Sequence, residues 1–278
     1  MAIVAVAVVV VVVAVMVIVK ISGGSSPAPG PNGPSSFAAP ASMVRAASSV
    51  PASTADAVGL PSAVSPPQLL SGQPPLTDNG KPAVVYVGAE YCPYCAAERW
   101  AMVVALSRFG TFSNLRETHS SLTDVYSDTI TFSFYGSTYT SRYLTFDPTE
   151  MYTNQPASNG NGYQTLQPLV GLAKTVFAKY DAPPFVPSGG QGAFPFVDFG
   201  NRVLVSGASY SPQVLSGLTA NQIASDLSDP SSPVAQSIVG TASYLTAALC
   251  AVTSGAPSSV CQEPYVIKAA NAMKLKIK

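Results

Sequence analysis

Two cysteines at the spacing of "AEYCPYC" (89–95) are the residues whose types most directly imply chemistry in this chain of four cysteines. Cys92 and Cys95 fit three chemistries: thiol–disulfide exchange, metal binding, or a short structural staple. Exchange needs an ionised attacking sulfur and a second thiol able to resolve the mixed disulfide. A cysteine at the first turn of a helix meets unpaired backbone N–H groups and the positive end of the helix dipole, which stabilise thiolate over thiol. Cys92 is then the attacker, with Cys95 beneath it as the resolving thiol. Pro93 suits an early helical position, where no N–H is needed. Metal binding needs two further ligands from His119, Cys250 and Cys261, none of which has the spacing of a zinc knuckle. A staple closing two residues constrains little of the unfolded chain.

The flanking elements must place the pair. "KPAVVYVGA" (81–89) is a Val- and Tyr-rich run bounded by Pro and Gly, which predicts a buried central strand. "CAAERWAMVVALSRFG" (95–110) predicts a helix with a mixed face of Glu98, Arg99 and Arg108, a core face including Trp100, Val103, Val104 and Leu106, and a closing Gly110. The pair therefore sits at a strand-to-helix junction. Residues 115–121, 129–140 and 141–148 have strand composition, 153–163 reads as an Asn/Gly-rich loop, and 166–180 reads as a helix. "FPFVDFGNRVLVSGAS" (194–209) predicts a hairpin turning at Gly200-Asn201. Helices are expected over Thr219–Leu227, Val234–Val252 and about Ser259–Ala272.

This order of strand, Cys-x-x-Cys, helix, hairpin and helix resembles the thioredoxin superfamily over about 79–110 and 190–228. The resemblance implies an α/β fold, a thioredoxin-like central sheet flanked by helices. A strand and helix segment (about 122–190) would be inserted between the Cys-x-x-Cys helix and the strand opened by a cis-proline, matched by Pro195 after Phe194. It implies that Pro93, Tyr94, Phe194 and Pro195 contact substrate, and that the partners are protein thiols and disulfides with no cofactor or metal. The strand position that carries a buried, proton-moving Asp in thioredoxins is Tyr86 here, and Glu90 is a candidate replacement or an ordinary exposed loop carboxylate. The whole chain, including "FSFYG" and "YTSRYLTF", also resembles a family of membrane-anchored thioredoxin-like proteins of archaea and some bacteria whose activity is not established.

Residues 2–19 are uniformly apolar and as a helix would span about 27 Å, close to the hydrocarbon thickness of a bilayer, so 1–20 reads as a transmembrane anchor in contact with lipid. Only Arg45 and Asp56 are charged between 21 and 77, where Pro, Ser, Ala and Gly dominate, which predicts a semi-extended tether with the folded domain at 78–278. Its end, about 229–278, is expected as a helical extension. Cys250 and Cys261 bracket a Gly/Pro/Ser loop and predict either a structural disulfide, contributing about 3 kcal/mol, or a relay pair. Disulfides favour an extracytoplasmic side, whereas Lys20 as the lone charged flank pulls the other way.

The 14 basic residues balance the 14 acidic ones, without a basic stripe, which argues against a nucleic-acid partner. The single histidine, His119, excludes a multi-histidine metal centre, and its default is an ordinary strand or loop position. Tyr135, Tyr139, Tyr143 and Tyr152 are either packing residues or a binding surface near the pair. Two functions result: a membrane-tethered thiol–disulfide oxidoreductase, or a redox-silent binding subunit of a membrane complex, each with a membrane partner.

Overall fold

The computed structural model describes residues 35–277, so the expected anchor over 1–20 lies outside the described residues. The chain is a mixed α/β structure organised on a six-stranded sheet. Its central strand is Lys81–Gly88, flanked on one side by the antiparallel hairpin Phe196–Phe199 and Val203–Ser206, with the short strand Gln68–Leu69 at that edge. On the other side, Thr77–Asp78 pairs with the start of the central strand, and Thr145–Glu150 runs parallel to the rest, from Ala83↔Thr145 to Gly88↔Glu150.

The unbroken run of Val and Tyr in the central strand reflects burial on both faces. Val84 and Tyr86 face the larger core, packed by the Pro93–Leu106 and Pro233–Val252 helices, whereas Val85 and Val87 face the Gly171–Tyr180 helix. The hairpin turns where expected: Gly200 and Asn201 both have positive φ (61° and 56°), and the Arg202 N–H donates to Phe199 O (3.0 Å) to close the turn between Phe199 and Val203.

Several expectations are corrected. Residues 35–77 are not a tether. Ser36–Ala38 pairs with Arg116–His119, and the helices Ala41–Ser48 and Ala52–Val58 pack on Ala220–Asp226 and Pro233–Val252 respectively. Met43, Ala47, Ala55 and Val64 are buried there. Small side chains permit close approach, so a segment poor in large apolar residues still joins a core built mainly by others. The folded part thus starts well before Asp78.

The expected insert is also redrawn. Thr145–Glu150 and Gly171–Tyr180, both within 122–190, are integral to the main sheet and its second face. The segments that depart from it are the small sheets formed by 111–140 and the hairpin Tyr152–Pro156/Tyr163–Thr165, which occupies the predicted loop. Trp100 Nε1 donates to Ile130 O (3.1 Å) and Thr131 Oγ1 donates to Ala96 O (2.7 Å), fastening one small sheet to the cysteine helix.

Pro233–Val252 is no appendage. Among the described residues it is the one helix long and apolar enough to cross a membrane, yet almost all of its apolar stretch is buried inside the fold. The expected helix over Ser259–Ala272 is broken into Ser258–Cys261 and Pro264–Ala272, because Pro264 has no N–H to continue the ladder and instead opens the second helix.

Candidate functional site

The central strand ends at Gly88, and the chain passes through Ala89, Glu90 and Tyr91 into the helix Pro93–Leu106. Cys92 is the N-cap of that helix, with Pro93 in its first turn as expected. The Cys92 sulfur accepts the Cys95 backbone N–H at 3.2 Å, a contact suited to a negatively charged sulfur. Both cysteines are free, and Cys95 is fully buried. Burial first, and then its hydrogen bond to Cys92, push the Cys95 thiol well above the ordinary cysteine value. The two sulfurs thus have unequal environments, one at a helix terminus and the other in the protein interior.

The hairpin supplies the opposite wall. The Phe194–Pro195 peptide bond is cis, and Phe194 O lies 3.8 Å from Cys92 Sγ. Phe194 and Pro195 therefore face the pair, although they are distant in sequence.

A freely reachable Cys92 is not what the fold provides. The residue is only 6% exposed, packed among Tyr91, Tyr94, Tyr152 and Phe194. Tyr91 stacks on Tyr163 (centroids 4.0 Å apart), and Tyr163 Oη donates to Ser121 Oγ (2.8 Å). The Ser121 N–H in turn donates to Tyr91 O (2.8 Å), and the Glu90 N–H donates to Tyr152 O (2.9 Å). Tyr94 meets Tyr126 edge to face (6.0 Å). The 152–165 hairpin and the 121–128 turn thereby fence the sulfur. Of the four tyrosines singled out in the sequence, Tyr152 is the one packed against the pair. Tyr139 donates to Leu106 O (2.9 Å) in a separate aromatic cluster.

Beneath Cys95 lies a buried polar layer. Glu90 is not an exposed loop carboxylate: it is fully buried and its Oε1 accepts from Ser133 Oγ at 2.6 Å. Glu98 and Arg99, from the mixed face of the cysteine helix, are fully buried as well. Glu98 accepts from the Ser209 N–H (2.9 Å) and Oγ (3.1 Å), and burial pushes its carboxyl up to about 7 despite those bonds. Arg99 Nη2 donates to Ala89 O (3.0 Å), and its Nε lies 3.4 Å from Glu150 Oε1. Glu150 ends the parallel strand, next to Gly88 in register. Burial raises the Glu150 carboxyl to about 7, with Arg99 lowering it and the neighbouring Glu90 charge raising it further.

Gly88 makes room for this layer. A methyl group at that position would lie 2.2 Å from the Tyr86 hydroxyl oxygen and 3.1 Å from Cys95 Sγ, so both groups crowd the same point. Sequence reasoning missed Glu150, Tyr163, Tyr126 and Ser133, and gave Arg99 no role at the pair. A signal for Arg99 existed, since it follows Cys95 by four residues, one helical turn away on the same face. Glu150 carried none beyond being an acid in a strand segment.

The other candidates lie elsewhere. Cys250 and Cys261 are bonded (S–S 2.02 Å) and both buried, joining the end of the long core helix to the short helix after it, which leaves no exposed sulfur for a relay. His119 ends its strand near the surface, with Nδ1 2.9 Å from Asp128 Oδ1. Among the described residues no group of three or more His, Cys, Asp or Glu side chains is arranged to hold a metal ion.

No curated protein and no solved structure matches the chain. The model of a domain of unknown function, DUF929, matches residues 70–251, a span that includes the cysteine pair, its buried polar layer and the Phe194–Pro195 wall. The chain, matched over well more than half its length, belongs to the DUF929 family.

Proposed function

We propose that this protein is a thiol–disulfide oxidoreductase built on a thioredoxin-like framework, tethered to a membrane through residues 2–19 with its folded part on the extracytoplasmic side. One observation carries the reading: the free Cys92 sulfur caps the cysteine helix, accepts the Cys95 N–H at 3.2 Å and faces Phe194 O ahead of Pro195. The thioredoxin-like part is supported by the strand order of Val203–Ser206, Phe196–Phe199, Lys81–Gly88 and Thr145–Glu150, with the last pair parallel and the others antiparallel. The bonded Cys250–Cys261 pair supports an oxidising compartment.

In the reductive direction, the Cys92 thiolate attacks one sulfur of a protein disulfide, forming a mixed disulfide and expelling the other substrate sulfur as a thiolate, which takes up a proton. Cys95 then attacks Cys92 Sγ. The Cys92–Cys95 bond forms, the Cys92–substrate bond breaks, and the second substrate thiolate leaves. Two electrons pass from the cysteine pair to the substrate, and the reverse sequence oxidises a dithiol. The reduction potential of the pair sets the direction.

Replacing Cys95 with Ala stops the cycle at the mixed disulfide, so the C95A chain, expressed in its membrane, should accumulate covalent adducts that dithiothreitol releases and that Cys92→Ser abolishes. A second reading, a redox-silent binding subunit, is favoured by the 6% exposure of Cys92. It predicts an empty C95A trap and a Cys92–Cys95 pair whose redox state dithiothreitol does not change without unfolding, and that result would remove the enzymatic reading.

A further inference from the structure

Ser35, the first described residue, stands beside the mouth over Cys92. The strand that follows it, Ser36–Ala38, is antiparallel to Arg116–His119, with Ser36↔Thr118 and Ala38↔Arg116, so traced back from Ala38 it runs along that strand toward Ser121. Ser35 O accepts from Thr118 Oγ1 (2.7 Å), and Asn154 Nδ2 donates to His119 O (2.9 Å). Asn154 shares a strand with Tyr152, one of the rings packed against the cysteine pair, and Ser121 is the residue bonded to Tyr91. The point where residues 1–34 join the described fold therefore adjoins both segments that fence Cys92, the 152–165 hairpin and the 121–128 turn.

That junction is apolar at the surface. Seven large apolar side chains are exposed among the described residues, and three of them lie here: Phe37 (61%) on the Ser36–Ala38 strand, and Leu122 (68%) and Val125 (56%) on the turn. Tyr126 of the same turn meets Tyr94 edge to face at the mouth. From Ser120 to Thr129 the charged residues are Asp124 and Asp128, so the turn offers anionic headgroups no attraction and its contact with a partner is apolar. Three side chains are too few for a stable protein interface, which buries about 1,200–2,000 Å². They suffice where a covalent link already holds the two surfaces together, because the contact is then intramolecular.

Residues 2–19 supply such a link on the reading proposed above, and the 15 residues 20–34 between them and Ser35 reach at most about 50 Å. We infer that the apolar rim of Phe37, Leu122 and Val125 rests on the lipid bilayer and turns the mouth over Cys92 to the headgroup region, so that the substrates are disulfides or dithiols of membrane proteins presented at that surface. The inference rests on the tethered oxidoreductase reading and adds to it an orientation and a substrate class. Apolar side chains on such a surface enter the boundary between headgroups and acyl chains by about 5–10 Å, while the half-buried rings of Tyr94 and Tyr126 stay at its polar edge. A sulfur only 6% exposed among tyrosines is then shielded from soluble proteins and opens to chains that run along the membrane surface. Attack by the Cys92 thiolate and resolution by Cys95 proceed as described above.

The test uses the full-length chain in phosphatidylcholine vesicles whose acyl chains carry bromine, which quenches tryptophan on contact. Trp100, the sole tryptophan, is fully buried and gives the baseline. The fluorescence added by Phe37→Trp, Leu122→Trp or Val125→Trp should fall by about half. That added by Ile267→Trp, at an exposed apolar position on the Pro264–Ala272 helix, should not change. In native membranes the Cys95→Ala trap should hold adducts with membrane proteins, and adding Leu122→Asp and Val125→Asp should cut them about fivefold, while the Cys92 adduct formed with oxidised glutathione stays within about twofold. No quenching at the three rim positions, or equal quenching at Ile267→Trp, overturns the inference, as does a trap filled with soluble proteins and indifferent to the two added substitutions. A chain that does not float with the vesicles removes the tether reading and this inference with it. A trap that captures neither glutathione nor protein overturns the oxidoreductase reading and the substrate class, whereas the quenching pattern still decides the bilayer contact.

Discussion

Substituting Arg99 with Met would test whether the buried layer is held together by one cation. Arg99 is fully buried, pairs with Glu150 at 3.4 Å and donates to Ala89 O at 3.0 Å. Methionine fills much of the volume but leaves the Glu150 carboxylate and the Ala89 carbonyl without their partner. Removing one member of a buried ion pair costs about 3–5 kcal/mol, a large part of the roughly 5–15 kcal/mol that holds a typical domain folded. The loss depends on pH. Glu150 is raised from 4.5 to about 7 in the fold, so the folded state binds the extra proton between those values, and the stability this contributes is present at low pH and lost as pH rises through 7. Without Arg99 the folded value climbs further and the window of loss extends upward. Near pH 5 the Glu150 carboxyl of the variant carries its proton, and the remaining deficit is the lost bond to Ala89, about 1–3 kcal/mol. Urea unfolding of wild type and R99M at pH 5 and pH 8 should therefore give a deficit about 2 kcal/mol larger at pH 8. Equal deficits at the two pH values would refute the claim that the uncompensated buried carboxylate of Glu150 is the cause.

The wild type should itself be more stable near pH 5 than near pH 8, because Glu98 and Asp198, like Glu150, are raised to about 7 chiefly by burial; urea midpoints across that range read this directly. Gly88→Ala should lower stability by about 1–3 kcal/mol, since its Cβ meets the Tyr86 hydroxyl at 2.2 Å, and the denaturant midpoint would reveal an unaffected fold if this packing were wrong. Met43→Ala should cost about 2–5 kcal/mol if the first helix belongs to the core, whereas a tether would show no change in thermal unfolding. Tyr163→Ala removes the ring stacked on Tyr91 and should accelerate alkylation of Cys92 by iodoacetamide several-fold, with an unchanged rate counting against the tyrosine fence.

Features set by neighbours in the chain were legible in the sequence. The strand ending at Gly88, the helix opening with Pro93 and the tight turn at Gly200-Asn201 follow from local backbone preferences, so the position of the cysteine pair at a strand-to-helix junction was readable from "AEYCPYC" and its flanks. Pairing across long separations was not. Glu150 comes to Arg99 only because Thr145–Glu150 docks parallel to the central strand, and the surrounding elements make Glu98, Arg99 and Glu90 interior groups, an enclosure that local composition does not reveal. The helices at 41–58 are likewise decided by the surfaces that receive Met43 and Ala47, not by their own modest apolar content. Sequence by itself determined which sulfurs are adjacent and which element carries them. Tertiary structure decided how far those sulfurs are enclosed and which charges lie beneath them, because the cost of burying a charge depends on every element around it, and no single segment encodes that.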